Sequence, residues 1–339
     1  MKVSRWVTLA AIGLVAAILV AGGALIRSGS APAAHKAGYT VALVGDTAGF
    51  NDNGFNKNQL KGLNEAAAKL HITALPESSH SGSDYGPNVN TAIRKGANLV
   101  IAAGYLLGPT LKTYSKKFPN VDFAITDDTY KDIGGGKNTQ GITYATQEGG
   151  CLVGVLAAKM SQKLGGHAIG AVGGIKIPSV DSYIAGYKYC AAKAVPGMKT
   201  IVQYSNDFSA EDKCQTVAQN EIGQGAKVLF QVAGGCGLGA LKAADAAHLW
   251  GIGVDADEYG VAKDILTSAT KKTDVGVYDT IAAAAGGHFA GGSDSLFNLK
   301  NNGVGVGRIS PSVPKSWITL MNSYKAKIIA GTLKPPSKL

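Results

Sequence analysis

The chain carries one pattern twice. Ile93-Arg-Lys-Gly-Ala-Asn-Leu-Val-Ile-Ala-Ala-Gly104, followed by Leu111-Lys112, returns as Ile222-Gly-Gln-Gly-Ala-Lys-Val-Leu-Phe-Gln-Val-Ala-Gly234, followed by Leu241-Lys242, with one residue of slippage. Gly62-Leu63 and Ala66-Ala67 likewise return as Gly186-Tyr187 and Cys190-Ala191. Around these copies, short β-branched runs alternate with Ala-rich stretches of helical period, the arrangement that builds a parallel sheet with helices on both faces. Strands are expected at residues 39–44, 72–75, 99–103, 122–126 and 141–144, and again at 168–172, 200–204, 228–232 and 251–254. Amphipathic helices are expected over residues 56–70 and 151–164. A chain of 339 residues accommodates both series as separate bodies. The fold class is therefore α/β, with two Rossmann-like lobes of parallel sheet joined by a hinge. Open sheets of this kind bind ligands at their carboxyl edges, and two such edges facing each other make a cleft. Lobe one is expected to comprise residues 38–143 with about 268–298, and lobe two 144–267 with about 299–339.

The first 34 residues stand outside this pattern. Lys2 and Arg5 precede an apolar run from Trp6 to Ile26 and a small-residue stretch from Ser28 to Ala34, which is an export signal or an uncleaved N-terminal membrane anchor. That run has no cysteine to carry a lipid. The protein is expected outside the cytoplasm, touching the membrane surface through this segment. The net charge of +10 comes from scattered lysines with no basic run or interleaved aromatics, so nucleic acid is not an expected partner. Cys151, Cys190, Cys214 and Cys236 are an even set in an exported chain. The expected pairs, on proximity in the lobe arrangement, are 151 with 190 and 214 with 236; four buried free thiols are the alternative. The cysteines and dispersed histidines have no zinc-site spacing, and no metal or cofactor is expected.

Three loops carry the chemistry. The first, Gly45-Asp46-Thr47-Ala48-Gly49-Phe50-Asn51-Asp52-Asn53-Gly54-Phe55-Asn56, crowds carboxyl, amide and phenyl groups after the first strand. Turn bonds and a helix cap account for part of it, but a solvated turn has no reason to display phenylalanine. The second, Ala233-Gly234-Gly235-Cys236-Gly237-Leu238-Gly239-Ala240 with Asp255 further on, matches a dinucleotide fingerprint; such glycines also serve simply to bring backbone close to a ligand. The third contains Phe208, which either covers a strand end or faces the cleft. Phe55 and Phe208, one from each lobe, would sandwich a flat ring such as a nucleobase. The Gly134-Gly135-Gly136-Lys137-Asn138 run lacks the spacing and hydroxyl of a phosphate loop, and the sequence has neither G-x-S-x-G nor H-E-x-x-H.

Read in order, these residues resemble the basic membrane protein family, the nucleoside-binding receptors of ABC importers with the type I periplasmic-binding fold. The match runs from Asp46, Gly49, Asn51, Asp52, Phe55 and Asn56 through Gly173-Gly174, Pro178 and Gly186-Tyr187. It continues through Ala233-Gly234 with Gly237 and Gly253-Val254-Asp255-Ala256-Asp257 to Thr267-Ser268-Ala269-Thr270-Lys271 with Asp274-Val275. The resemblance implies that Phe55 and Phe208 stack on a base, that Asp255 and Lys271 bond sugar hydroxyls, and that Asp46, Asn51 and Gly234 add polar contacts. A plainer reading of Lys271 is a solvated member of a Lys-Lys pair. The expected function is capture of a nucleoside by hinge closure, as a monomer, for ABC permease and ATPase subunits, without catalysis. The alternatives are a receptor for a sugar or signalling molecule acting as an anchored sensor, and a dinucleotide-dependent enzyme.

Overall fold

The β-branched runs and Ala-rich stretches alternate as strands and helices in the computed structural model, which describes residues 38–339. The export signal or anchor expected over residues 1–34 lies outside the described residues. Among the described residues no helix is long and apolar enough to cross a membrane. The first series runs β1 (Thr40–Val44), α1 (Phe55–Leu70), β2 (Thr73–Glu77), α2 (Tyr85–Arg94), β3 (Leu99–Ala102), α3 (Gly108–Lys117), β4 (Asp122–Thr126) and β5 (Thr139–Tyr144). The second runs α4 (Thr146–Lys163), β6 (Ala168–Gly173), α5 (Pro178–Ala194), β7 (Lys199–Tyr204), α6 (Glu211–Gly223), β8 (Ala226–Val232), α7 (Gly237–Ala246), β9 (Trp250–Asp255) and β10 (Ile265–Lys271). The chain then adds α8 (Thr273–Ala285), β11 (Ser293–Phe297), β12 (Val304–Val306) and α9 (Lys315–Ile329).

Two six-stranded sheets result, ordered β11-β5-β4-β3-β1-β2 and β12-β10-β9-β8-β6-β7. All pairings are parallel except β10 with β12. In each sheet the first strand of the series lies between the second and the third, so the following connections leave in opposite directions and open a crevice at the carboxyl edge. Those switch points fall between β1 and β3 in one sheet and between β6 and β8 in the other.

Three strands have no counterpart in the alternation read from the sequence. β10 is rich in small polar residues, and its Thr267 and Ser268 are fully buried between β9 and β12. β11 is a polar edge strand, and β12 has three residues. Because β10 belongs to the second sheet through Lys271, the chain crosses back a few residues later than the boundary expected at about 268. α8 then returns to the first sheet's helical layer, where Gly62 of α1 lies against the backbone of Asp274.

In the second lobe α4 is buried along most of its length and packs on α5 through glycines. A Cβ on Gly150 would strike the Tyr183 carbonyl, and one on Gly154 the Tyr187 carbonyl. The Cys151–Cys190 disulfide joins the same two helices, with Cα atoms 4.9 Å apart, and Cys214–Cys236 joins α6 to the turn before α7. Close helix contact rather than backbone freedom is what these glycines provide. Gly154→Ala is therefore expected to destabilise the protein by about 1–3 kcal/mol through overpacking. Gly223→Ala, at the open end of α6 where a Cβ meets nothing within 4 Å, should instead be neutral or stabilising by up to about 1 kcal/mol. Urea unfolding of the two variants checks both signs.

Candidate functional site

The switch points bring four connections together around one cavity of about 530 Å³, open space included. From the first sheet come the connections after β1 and β3; from the second come those after β6 and β8, with the β7–α6 turn beside them. Asp46, Phe55, Phe208, Gly234, Asp255 and Lys271 all line this cavity.

The β1–α1 connection is held by Asn56. Its amide nitrogen donates to Asp46 Oδ1 (2.7 Å) and to Asp52 Oδ2 (3.0 Å), while its carbonyl oxygen accepts from the Asp46 backbone N–H (3.1 Å). Asp52 also accepts from the backbone N–H groups of Gly54, Asn56 and Lys57, fixing the first turn of α1. Much of the loop's polarity is thus turn chemistry. Asp46 Oδ1 also accepts from the Ala48 N–H, and Oδ2 lies on the side of Gly104. Burial pushes the Asp46 carboxyl up to about 6 against these hydrogen bonds, and the nearby charges of Asp52 and Asp127 add to the rise. Asn51 does not join the site: it is exposed and absent from the lining. The residue that organises this wall is Asn56, five positions later.

Each phenyl ring rests on a glycine. Phe55 opens α1, and its ring lies where a Cβ on Gly104 would come within 3.1 Å; Gly104 also has φ +105°, a conformation that other residues rarely adopt. Phe208 packs so close to Gly174 that a Cβ there would collide with the ring. The Phe208 carbonyl accepts from the Cys236 N–H (2.9 Å), so the Cys214–Cys236 disulfide bears on the ring's position. Across the cleft, Ser209 Oγ donates to the Thr47 carbonyl (3.0 Å).

The floor is a charge cluster. Lys271, at the end of β10, is 3% exposed; the solvated reading of this residue is incorrect. Its Nζ is 2.7 Å from Asp127 Oδ2 of the first lobe and 3.3 Å from Asp255 Oδ1 of the second, and lies 4.4 Å from the centre of the Phe55 ring. Tyr183 donates its hydroxyl to Asp255 Oδ1 (3.1 Å). Burial would pull the Lys271 ammonium down, but the two carboxylates overturn that and hold it above its usual range. Burial raises the Asp127 carboxyl despite the opposing pull of Lys271. Asp127 directly follows β4 and Asp255 ends β9, the fourth strands of the two series, and both have left-handed backbone (φ 63° and 61°), a conformation that Asp tolerates better than most residues and that turns each side chain off its strand. Asp127 and Tyr183 were not among the residues singled out from sequence. The available signal for Asp127 was its place just past a strand at the carboxyl edge, matching that of Asp255.

The glycine-rich connection resolves differently from its fingerprint. A Cβ on Gly237 would strike the Gln231 side chain, and one on Gly239 the Glu211 carbonyl, so these glycines serve packing of α7 on β8 and α6.

Comparison with known proteins agrees with this architecture. The family model described as "ABC transporter substrate-binding protein PnrA-like" matches residues 39–338. The CD4+ T-cell-stimulating antigen of Listeria monocytogenes is 32% identical over 322 residues, covering 88% of each chain. The ABC transporter nucleoside-binding protein BmpA of Lactococcus lactis is 30% identical over 362 residues, covering 98% of this chain and 99% of its own. Among solved structures, an ABC transporter system solute-binding protein from Aeropyrum pernix has a TM-score of 0.78 at 24% identity, covering 88% of this chain and 94% of its own; that likeness is one of fold.

Removing the ammonium tests the floor. Lys271→Met leaves Asp127 and Asp255 buried without their cation and is expected to cost about 3–5 kcal/mol near pH 7.5. Without the ammonium, burial favours the protonated carboxyls in the folded state, so the unfolded chain holds fewer protons than the folded one across that interval and stability falls as pH rises. The deficit should therefore shrink on acidification from pH 7.5 to 5. Denaturant melts of variant and parent at the two pH values measure it.

Proposed function

The chain belongs to the PnrA-like family of ABC transporter substrate-binding proteins, and on that premise we propose that it captures a nucleoside between its two lobes and presents it to a membrane importer. Members of this family are binding proteins and not enzymes, and they work with a small-molecule ligand and the permease and ATPase subunits of a transporter. The nucleoside is favoured by the combination within one cavity of two phenyl walls, Phe55 and Phe208, with a floor of Asp255, Lys271 and Asp127 joined by ion pairs. Phenyl faces suit purine and pyrimidine rings alike. A carboxylate kept charged by an adjacent ammonium accepts sugar hydroxyl protons through its remaining lone pairs. The partly free Asp46 carboxyl and the Gly234 backbone supply polar contacts beside the rings. A relative 30% identical along nearly its whole length bears the name nucleoside-binding protein, which favours the same ligand class here.

The two phenyl groups belong to different lobes, so a ligand touching both favours the closed arrangement over an open one. The Lys271–Asp127 ion pair and the Ser209–Thr47 hydrogen bond would add to that closure. Export through the segment from Lys2 to Ala34 and action as a monomer at the outer membrane-facing surface complete the reading.

A thermal-shift series against nucleosides, free bases, sugars, amino acids and nicotinamide dinucleotides tests it, since a ligand that binds only folded protein raises its melting temperature. Nucleosides are expected to give the shift. Phe208→Ala should weaken binding roughly 5- to 150-fold, matching about 1–3 kcal/mol per stacked base, while Asp255→Asn should remove the advantage of ribosides over free bases. A shift with sugars or amino acids and none with nucleosides would keep the receptor and reject the nucleoside.

A further inference from the structure

The outer helical layer of the second lobe is an uncompensated basic face. Some surface lysines elsewhere are paired, Lys61 with Asp274, Lys69 with Glu65, Lys95 with Glu77, Lys213 with Asp207 and Lys242 with Glu211, while others, such as Lys112, Lys116 and Lys117 of α3, have no carboxylate within ion-pair distance among the described residues. The adjoining helices α4, α5 and α9 gather six such lysines, Lys159, Lys163, Lys188, Lys193, Lys315 and Lys327, with no carboxylate within ion-pair distance among the described residues. The carboxylates on these helices, Glu148 and Asp181, sit in first turns and are already engaged. Glu148 accepts from the Leu299 N–H, and Asp181 from Lys176 and Tyr204. α9 carries no acidic residue.

Aromatic rings lie under the ammonium groups of this face. Lys163 Nζ is 5.9 Å from the Trp317 ring, Lys193 Nζ 4.9 Å from Tyr189, and Lys327 Nζ 5.8 Å from Tyr324. The contact of Lys163 with Trp317 joins the end of α4 to the start of α9, and the charge of Lys193 reaches Tyr324, joining the end of α5 to α9. Leu164 and Ile329, each 42% exposed, add aliphatic surface at the ends of α4 and α9. α4 ends just before the amino end of β6, and α5 runs from the carboxyl end of β6 to the amino end of β7. Lys163 and Lys193 therefore sit at the end of the lobe opposite the cleft, where an attachment leaves the ligand path open.

We propose that this α4–α5–α9 face docks on an anionic phospholipid surface, with the lysines on headgroup phosphates and Trp317, Tyr189 and Tyr324 at headgroup depth. Lysine with Trp and Tyr is the side-chain set that the polar–apolar boundary of a bilayer accepts, and each lysine held near an anionic leaflet strengthens attachment about fivefold. The exposed leucine and isoleucine favour a lipid surface over a hydrophilic polyanion, which offers nothing for them to enter. This contact is separate from any made by the N-terminal segment and independent of which ligand the cleft takes.

Fluorescence quenching by brominated lipid separates the two contacts in the full chain, because the N-terminal segment is the same in every arm. Emission from Trp317 is obtained as the difference between the parent and Trp317→Phe, in vesicles of brominated phosphatidylglycerol or brominated phosphatidylcholine. Trp317 quenching is expected on phosphatidylglycerol and absent on phosphatidylcholine. It should be lost at about 1 M salt, where the screening length falls to about 3 Å. The triple variant Lys163→Gln, Lys193→Gln, Lys327→Gln should reduce it at least about fivefold, with the melting temperature unchanged. Equal quenching on both lipids, no quenching on either, or no response to the triple variant overturns the proposal. Binding of inorganic polyphosphate through these lysines without quenching by anionic vesicles would assign the face to a soluble polyanion instead.

Discussion

A buried ammonium shared by two carboxylates from different lobes is the interaction on which this structure turns. Lys271 is out of water, and Asp127 and Asp255 supply the opposite charge that keeps its own tolerable there. The three groups are mutually dependent, since removing any one leaves the others desolvated and unbalanced. Their placement follows from topology: Asp127 directly follows and Asp255 ends the fourth strand of its series, and the lysine ends the strand from which the chain crosses back to the first lobe. The same cluster is therefore both the floor of the cavity and part of the joint between the lobes.

The other crossings meet it. Tyr144, on the first crossing, stacks on Phe297 of the third at 5.2 Å between ring centres, and its hydroxyl donates to the Lys272 carbonyl of the second. The Lys271 ammonium lies 5.5 Å from the Tyr144 ring. In the proposed closure, rotation of one lobe against the other works through residues that also feel what occupies the cavity. This gives a physical route from ligand contact to lobe position that needs no longer-range device.

The sequence was most legible where burial imposes a period. The strands of both series were readable because parallel strands covered on both faces are apolar runs bounded by turns. β10, β11 and β12 were not, because a buried strand of Thr, Ser and Ala, a polar edge strand and a three-residue strand lack that contrast. The site was legible in part for a related reason. Phe55 stood out as an apolar group in a connection that had no structural use for it, Phe208 as a ring that either covered a strand end or faced the cleft, and Asp255 as a carboxylate at a strand's carboxyl end. Asp127 has the same position but sits in a Thr-Asp-Asp-Thr stretch that reads as a turn, and the hydroxyl of Tyr183 is hidden within an apolar helix. Asn51 stood out by the loop's composition and by the family resemblance, and neither could reveal that the loop leaves it exposed to solvent while Asn56 is buried. The glycines between Ala233 and Ala240 were ambiguous because close backbone approach to a phosphate and close packing of a helix leave the same trace.

The central claim is that the cavity was shaped for a flat base joined to a hydroxylated sugar. Isothermal titration of the protein with a purine riboside, a pyrimidine riboside, the corresponding free bases and ribose addresses it most directly. The account predicts saturable heat at one ligand per chain for at least one riboside, with the free base and the free sugar each binding more weakly than the joined molecule. No heat with any riboside, together with saturable binding of a ligand lacking an aromatic ring, would contradict it.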